Sequence, residues 1–94
     1  MITLLNFSKA LKRLKEGKHI ARKGWNGKTL EIIKRNGYPN GIPCNESTAK
    51  EYGLEVGELF FCNPYFQIHN KEKNTVDTWV PSVSDLFAED WYVL

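Results

Sequence analysis

Cysteine is scarce in this chain: Cys44 and Cys62 are the only two, with no C-x-x-C pair and no histidines at zinc-finger spacing. Two reduced thiols in a cytosolic protein explain them better than a disulfide scaffold or a metal site. Long apolar runs are missing too, and none approaches the roughly 18 residues needed to span a bilayer. Lysine and arginine follow the apolar start Met1–Leu5 rather than precede it, which argues against a secretory leader. The only histidines, His19 and His69, have no serine, cysteine or aspartate beside them in a nucleophilic arrangement, so structural or surface roles are expected for both. The glycines of Gly24-Trp25-Asn26-Gly27 lack the lysine and spacing of a phosphate-cradling loop. An acidic group remains at Asp85, Glu89 and Asp90, but helix capping explains Asp85 better than acid–base work does. Neither catalysis nor a cofactor or metal is indicated.

What is present suffices for one globular domain, residues 1–94. The hydrophobic share is 41% and the aromatic share 13%, too much for a disordered chain. A domain of this length buries only about 60–65% of its unfolded surface, so self-association is expected. The net charge of +2 conceals an asymmetry. Residues 1–50 hold eleven Lys and Arg against three Glu, whereas residues 51–94 hold two Lys against eight carboxylates. A basic half suggests an anionic partner, phosphate above all; equally, the two halves can attract each other within the fold or across an oligomer.

Asn6 is placed to cap a helix beginning at Phe7, with Phe7, Ala10, Leu11 and Leu14 forming one buried stripe and Gly17 the stop. Strands are predicted at His19–Arg22, Thr29–Arg35 and Leu59–Cys62, and a tight loop at Lys23–Gly27. The Gly-, Pro- and Asn-rich segment Asn36–Asn45 reads as loop. A short helix, capped by Asn45 or Ser47 and closed by Gly53, follows it. Tyr65–His69 and Thr75–Val80 flank the polar turn Asn70–Asn74 as a hairpin, in which Asn70 faces Thr75 and Phe66 faces Trp79. Ser82-x-x-Asp85 is a capping box opening a helix through Ala88, and Trp91–Leu94 is a terminal strand that offers Trp91 a core position. The predicted class is α+β: a small antiparallel sheet with an N-terminal helix and one or two further short helices.

Aromatics interleaved with polar groups are the candidate ligand contacts. Trp25, between two glycines in the basic half, has a π-face that can stack on a base; Asn26 can read a base edge or ribose, and Arg22 or Lys28 can meet phosphate. Trp79 and Phe66 form an aromatic pair beside the helix start at Ser82–Ser84, whose backbone N–H groups suit an anion. The competing account is that Trp25 folds back over the core and that Trp79 belongs to an ordinary core cluster.

Two segments are distinctive: Ala21-Arg22-Lys23-Gly24-Trp25-Asn26-Gly27-Lys28, and Trp79 through Trp91 with its W-x-x-S-x-x-D-L-x-A-E-D-W pattern. With the N-terminal Asn-Phe-x-x-Ala-Leu helix they cover about half of the chain, and together they resemble the Thoeris anti-defence type-two family of phage proteins. The resemblance implies binding, without degradation, of a cyclic ADP-ribose-type signal (glycocyclic ADP-ribose) made by bacterial TIR-domain enzymes, which keeps the Thoeris effector inactive in the cytoplasm of the infected host. It implies a homotetramer with pockets at subunit interfaces, and some relatives also hold cyclic oligonucleotides. By motif position it assigns ligand contacts to Trp25, Asn26, Trp79, Ser82 and Asp85. The chain departs from the family where Thr78 replaces a frequent proline, and nothing in Asn36–Glu58 matches. A single-stranded nucleic-acid binder is the alternative, since it would use the same aromatics and cations. The sequence separates those cations from the sheet aromatics, which disfavours a long polyanion.

Overall fold

The computed structural model describes residues 2–25 and 29–94. Helix α1 spans Phe7–Lys15, and Asn6 caps it by accepting the Lys9 amide at 2.9 Å. Its buried stripe is Phe7, Ala10 and Leu14, as the apolar spacing requires, and lysines and Arg13 occupy the outer face. Strands β1 (Ile20–Arg22) and β2 (Leu30–Arg35) follow. Then come β3 (Tyr38–Pro43), α2 (Glu46–Tyr52), β4 (Leu59–Cys62), β5 (Tyr65–Asn70), β6 (Thr75–Thr78), α3 (Val83–Phe87) and β7 (Trp91–Val93). The fold is α+β: five antiparallel strands in the order β6-β5-β2-β1-β7, and a separate β3-β4 ribbon. No helix among the described residues is long and apolar enough to cross a membrane.

Helix α1 packs on one face of the main sheet, against β1, β2 and β7. The core between them is Phe7, Ala10, Leu14, Ile20, Ile32, Trp79 and Trp91, with Phe66 and Ile68 packed at its margin. Strand alternation selects these residues: Ile32 faces the helix, so its neighbour Glu31 faces away. The hairpin register is the expected one, Asn70 opposite Thr75, and the Trp79 amide donates to the Phe66 carbonyl at 2.8 Å.

The segment expected to be loop, Asn36–Asn45, instead contains β3. Tyr38 pairs with Cys62 and Ile42 with Phe60, with a register shift between the two pairs. Gly41 sits in that shift at φ +90°, a backbone few side chains adopt, and an added Cβ would lie 3.0 Å from the Phe61 ring. Pro39 and Pro43 remain compatible with the ladder because a two-stranded ribbon has open edges on both sides. Glycine and proline thus punctuate this strand without abolishing it. Together β3, α2 and β4 form an arm with its own small packing, Tyr52 against Phe60 at 5.1 Å and buried Cys44 and Ala49.

Candidate functional site

The two distinctive segments, far apart in sequence, meet through Arg22. Strand β1 presents its guanidinium toward the chain's end: Nε donates to Asp90 Oδ1 at 2.9 Å and one terminal nitrogen to Asp85 Oδ1 at 3.0 Å. The other Asp90 oxygen accepts the Gly24 amide at 2.8 Å. A Cβ on Gly24 would lie 2.8 Å from that oxygen, so a side chain here would push the carboxylate off the Gly24 amide. The hydrogen bond to Asp90 raises the Arg22 pKa further. Burial pushes both aspartates up, but hydrogen bonds win: Asp85, held by Ser82 and Arg22, and Asp90, held by Arg22 and Gly24, end below the usual carboxylate range.

Trp91 is the hydrophobic half of this junction. It is fully buried, its Nε1 donates to the Asp85 carbonyl at 3.0 Å, and Arg22 lies 6.0 Å from its ring centre. Trp25 meets it edge-on at 5.2 Å and Trp79 edge-on at 6.1 Å. Trp25 is therefore half-buried against the core, and Trp79 lies within the core at 9% exposure. Of the two readings the sequence left open, Trp79 takes its place in the core cluster: it shares a face with Phe66 at 6.3 Å, as the hairpin register requires, and with Phe7 at 6.4 Å. The two candidate tryptophans flank Trp91 rather than facing one another.

Ser82 and Asp85 form the expected capping box. Ser82 Oγ accepts the Asp85 amide at 3.1 Å, and Asp85 Oδ2 accepts the Ser82 amide at 2.9 Å. With Arg22 on its other oxygen, buried Asp85 is committed to the protein, and it shapes the site by orienting Arg22 and the start of α3. The candidate contacts Asn26 and Lys28 lie outside the described residues.

Beside this junction opens a groove of about 470 Å³ lined by Phe66, Trp79, Val80 and Pro81 together with Lys15 and Lys34. Its size lies within the range of small-ligand sites, roughly 300–1,000 Å³. Lys34 also donates to the Lys15 carbonyl at 3.1 Å, which sets it against the end of α1. Sequence reasoning missed both lysines, because it saw cations and sheet aromatics segregated along the chain. Pairing of β2 with β5 sets Lys34 opposite Phe66 and removes that segregation. The pairing partner of β2 was the missing information, and the sequence reading assigned it none.

The histidines meet on the opposite face. His19 Nδ1 and His69 Nδ1 each lie 2.8 Å from a different oxygen of the buried Glu31 carboxylate, with Lys71 Nζ at 3.9 Å. Burial raises the Glu31 pKa, yet the hydrogen bonds from His69 and His19 bring it net below its usual value. Glu31, with Asn74 at its second nitrogen, raises that of His69. This is a structural clamp across β1, β2 and β5, not a base beside a nucleophile. Among the described residues no group of three or more His, Cys, Asp or Glu could hold a metal ion.

Comparison with known proteins agrees with the motif junction. The family model described as the Thoeris anti-defense 2-like domain matches residues 5–94. The protein of Bacillus phage SP01 called Thoeris anti-defense 2 is 31% identical over 97 residues, covering 100% of this chain and 99% of that protein. Motifs and full-length similarity coincide, and the chain belongs to the Thoeris anti-defense 2-like family of anti-defense proteins.

Proposed function

We propose that this protein captures a cyclic ADP-ribose-type signal made by a TIR-domain enzyme inside the infected bacterial cell, holds it without chemical change, and so keeps the Thoeris effector inactive. The observation that carries the reading is the convergence of both family motifs on one junction beside an aromatic groove that Lys15 and Lys34 also line. The adenine stacks on the Phe66–Trp79 side or on Trp25, and the pyrophosphate meets Lys15, Lys34 or the loop after Trp25. Asn26, Lys28 and Ser82 complete the contacts, and Arg22 and Asp85 hold the frame. The groove's volume suits a single nucleotide. The capturing form is a homotetramer whose subunits complete each other's pockets. Competing with an effector calls for nanomolar affinity, on the order of −12 kcal/mol.

The test is incubation of the purified chain with glycocyclic ADP-ribose, followed by filtration and heating. The free signal should disappear stoichiometrically and return intact on denaturation. Recovery of a cleaved nucleotide over many turnovers would overturn the reading, and retention of polynucleotide would replace it with the nucleic-acid alternative.

A further inference from the structure

The arm has no counterpart in the motifs, and on its own it is poorly accounted for. The radius of gyration is 16.4 Å and the longest extent 51 Å, whereas a compact chain of this length has a radius of gyration of about 12 Å. Residues 36–64 carry Glu46, Glu51, Glu55 and Glu58 against Lys50 alone. At the arm's distal end Val56 is 64% exposed between Glu55 and Glu58. That tip is preorganised: the Gly57 amide donates to the Cys44 carbonyl at 2.9 Å, the Glu58 amide to the Glu55 carbonyl at 3.0 Å, and the Glu55 amide to Glu58 Oε1 at 3.2 Å. An exposed apolar side chain between two acids, on a turn fixed by its own hydrogen bonds, has the form of a docking element.

The body of the same chain offers the complementary surface. Between the N-terminal segment, α1 and β7 lies a cavity of about 490 Å³ lined by Ile2, Thr3, Leu5, Arg13, Lys18 and Val93. Its lining sets the apolar Ile2, Leu5 and Val93 beside the cations Arg13 and Lys18. Arg13 has only the exposed Glu16 at 3.5 Å, and Lys18 has no carboxylate partner among the described residues. Arm against arm would bring like charges together, so charge favours arm against body.

We propose that the arm tip Glu55–Leu59 of one copy seats in the Ile2–Leu5–Val93 cavity of a second copy, with Val56 in the cavity and Glu55 and Glu58 facing Arg13 and Lys18. Where the exchange is mutual, each copy giving its arm to the other's cavity, the contact closes a two-fold pair. A tetramer joins two such pairs through a different contact. The inference rests on the proposed self-assembly, and it names the surfaces that perform it.

Sedimentation of the full chain over a concentration series tests it, with melting curves to confirm that each variant is folded. Val56→Glu, Glu55→Lys and Lys18→Glu all change exposed side chains outside the candidate ligand site. Each should raise the concentration at which the oligomer dissociates by about tenfold or more, while the double variant Glu55→Lys/Lys18→Glu returns to within a few-fold of the unmodified chain. Weakening by both single reversals with recovery in the double supports the seat. Undiminished assembly in Val56→Glu and Lys18→Glu overturns it and leaves the capture reading standing. A monomeric unmodified chain that still captures the signal overturns the seat and the self-assembly together.

Discussion

Trp91 stands between the two tryptophans with which ligand contact was expected, and the three should respond differently to truncation. Trp91→Ala removes a fully buried indole and its hydrogen bond to Asp85, at a cost of about 3–5 kcal/mol. Against a total stability of about 5–15 kcal/mol, that should unfold most of the protein, seen as loss of a cooperative melt. Trp25→Ala should leave the melt largely in place while removing about 1–3 kcal/mol of signal binding by calorimetry, roughly 5- to 150-fold. Trp79→Ala should lower both, because its ring serves the core and the groove at once. Equal behaviour of all three would contradict the assignment.

The clamp on Glu31 gives a second residue-scale expectation. His69 has its pKa raised above the ordinary 6.5, so its stabilisation is complete below that value and is lost as pH rises through the folded one. Glu31, Asp85 and Asp90 have lowered values, so theirs is present above the ordinary carboxylate range and is lost as pH falls through the folded values. The melting temperature should therefore decline on both sides of a mildly acidic optimum. His69→Gln should flatten the alkaline decline; a slope unchanged in that variant would exclude His69 as its source.

Elements differ in how far they depend on their surroundings. Helix α1 was legible because its cap, stripe and stop are all local, and Asn6→Ala should cost about 1 kcal/mol in denaturant melts. Strand β3 was not legible, because only β4, sixteen or more positions on, makes Tyr38 and Ile42 into ladder partners. Its Gly41 is the place to test this. Gly41→Val combines a left-handed backbone with a crowded Phe61 ring and should cost the arm about 1–3 kcal/mol. Limited proteolysis should then cut within residues 36–64 first, while the main sheet keeps its melting behaviour. Cleavage elsewhere first would mean that the arm and sheet fold as one unit.

At the scale of the whole molecule, the charge asymmetry acquires two destinations. Part of it is spent inside the fold, where Arg22 of the basic half binds Asp85 and Asp90 of the acidic half. Another part faces the groove as Lys15 and Lys34. If those lysines meet the ligand's phosphates, Lys34→Ala should weaken capture by about 5- to 10-fold at low salt and by much less at high salt, where screening shortens the reach of the charge. Titration at two ionic strengths reads this directly, and a loss independent of salt would assign Lys34 a packing role instead.

The sequence by itself determined α1, the hairpin register, the capping box at Ser82 and the family membership of the chain. The first three are carried by residues close together, where spacing translates directly into geometry, and the last by the identity and order of motifs along the chain. Even the pairing of Phe66 with Trp79 follows from the length of one turn. Only the tertiary structure decided that Trp79 is core, that Arg22 bridges Asp85 and Asp90, that Lys15 and Lys34 line an aromatic groove, and that both histidines share one carboxylate. These depend on which strands are neighbours and on which face each side chain emerges. A one-residue change of register inverts every such face, so no local pattern encodes them.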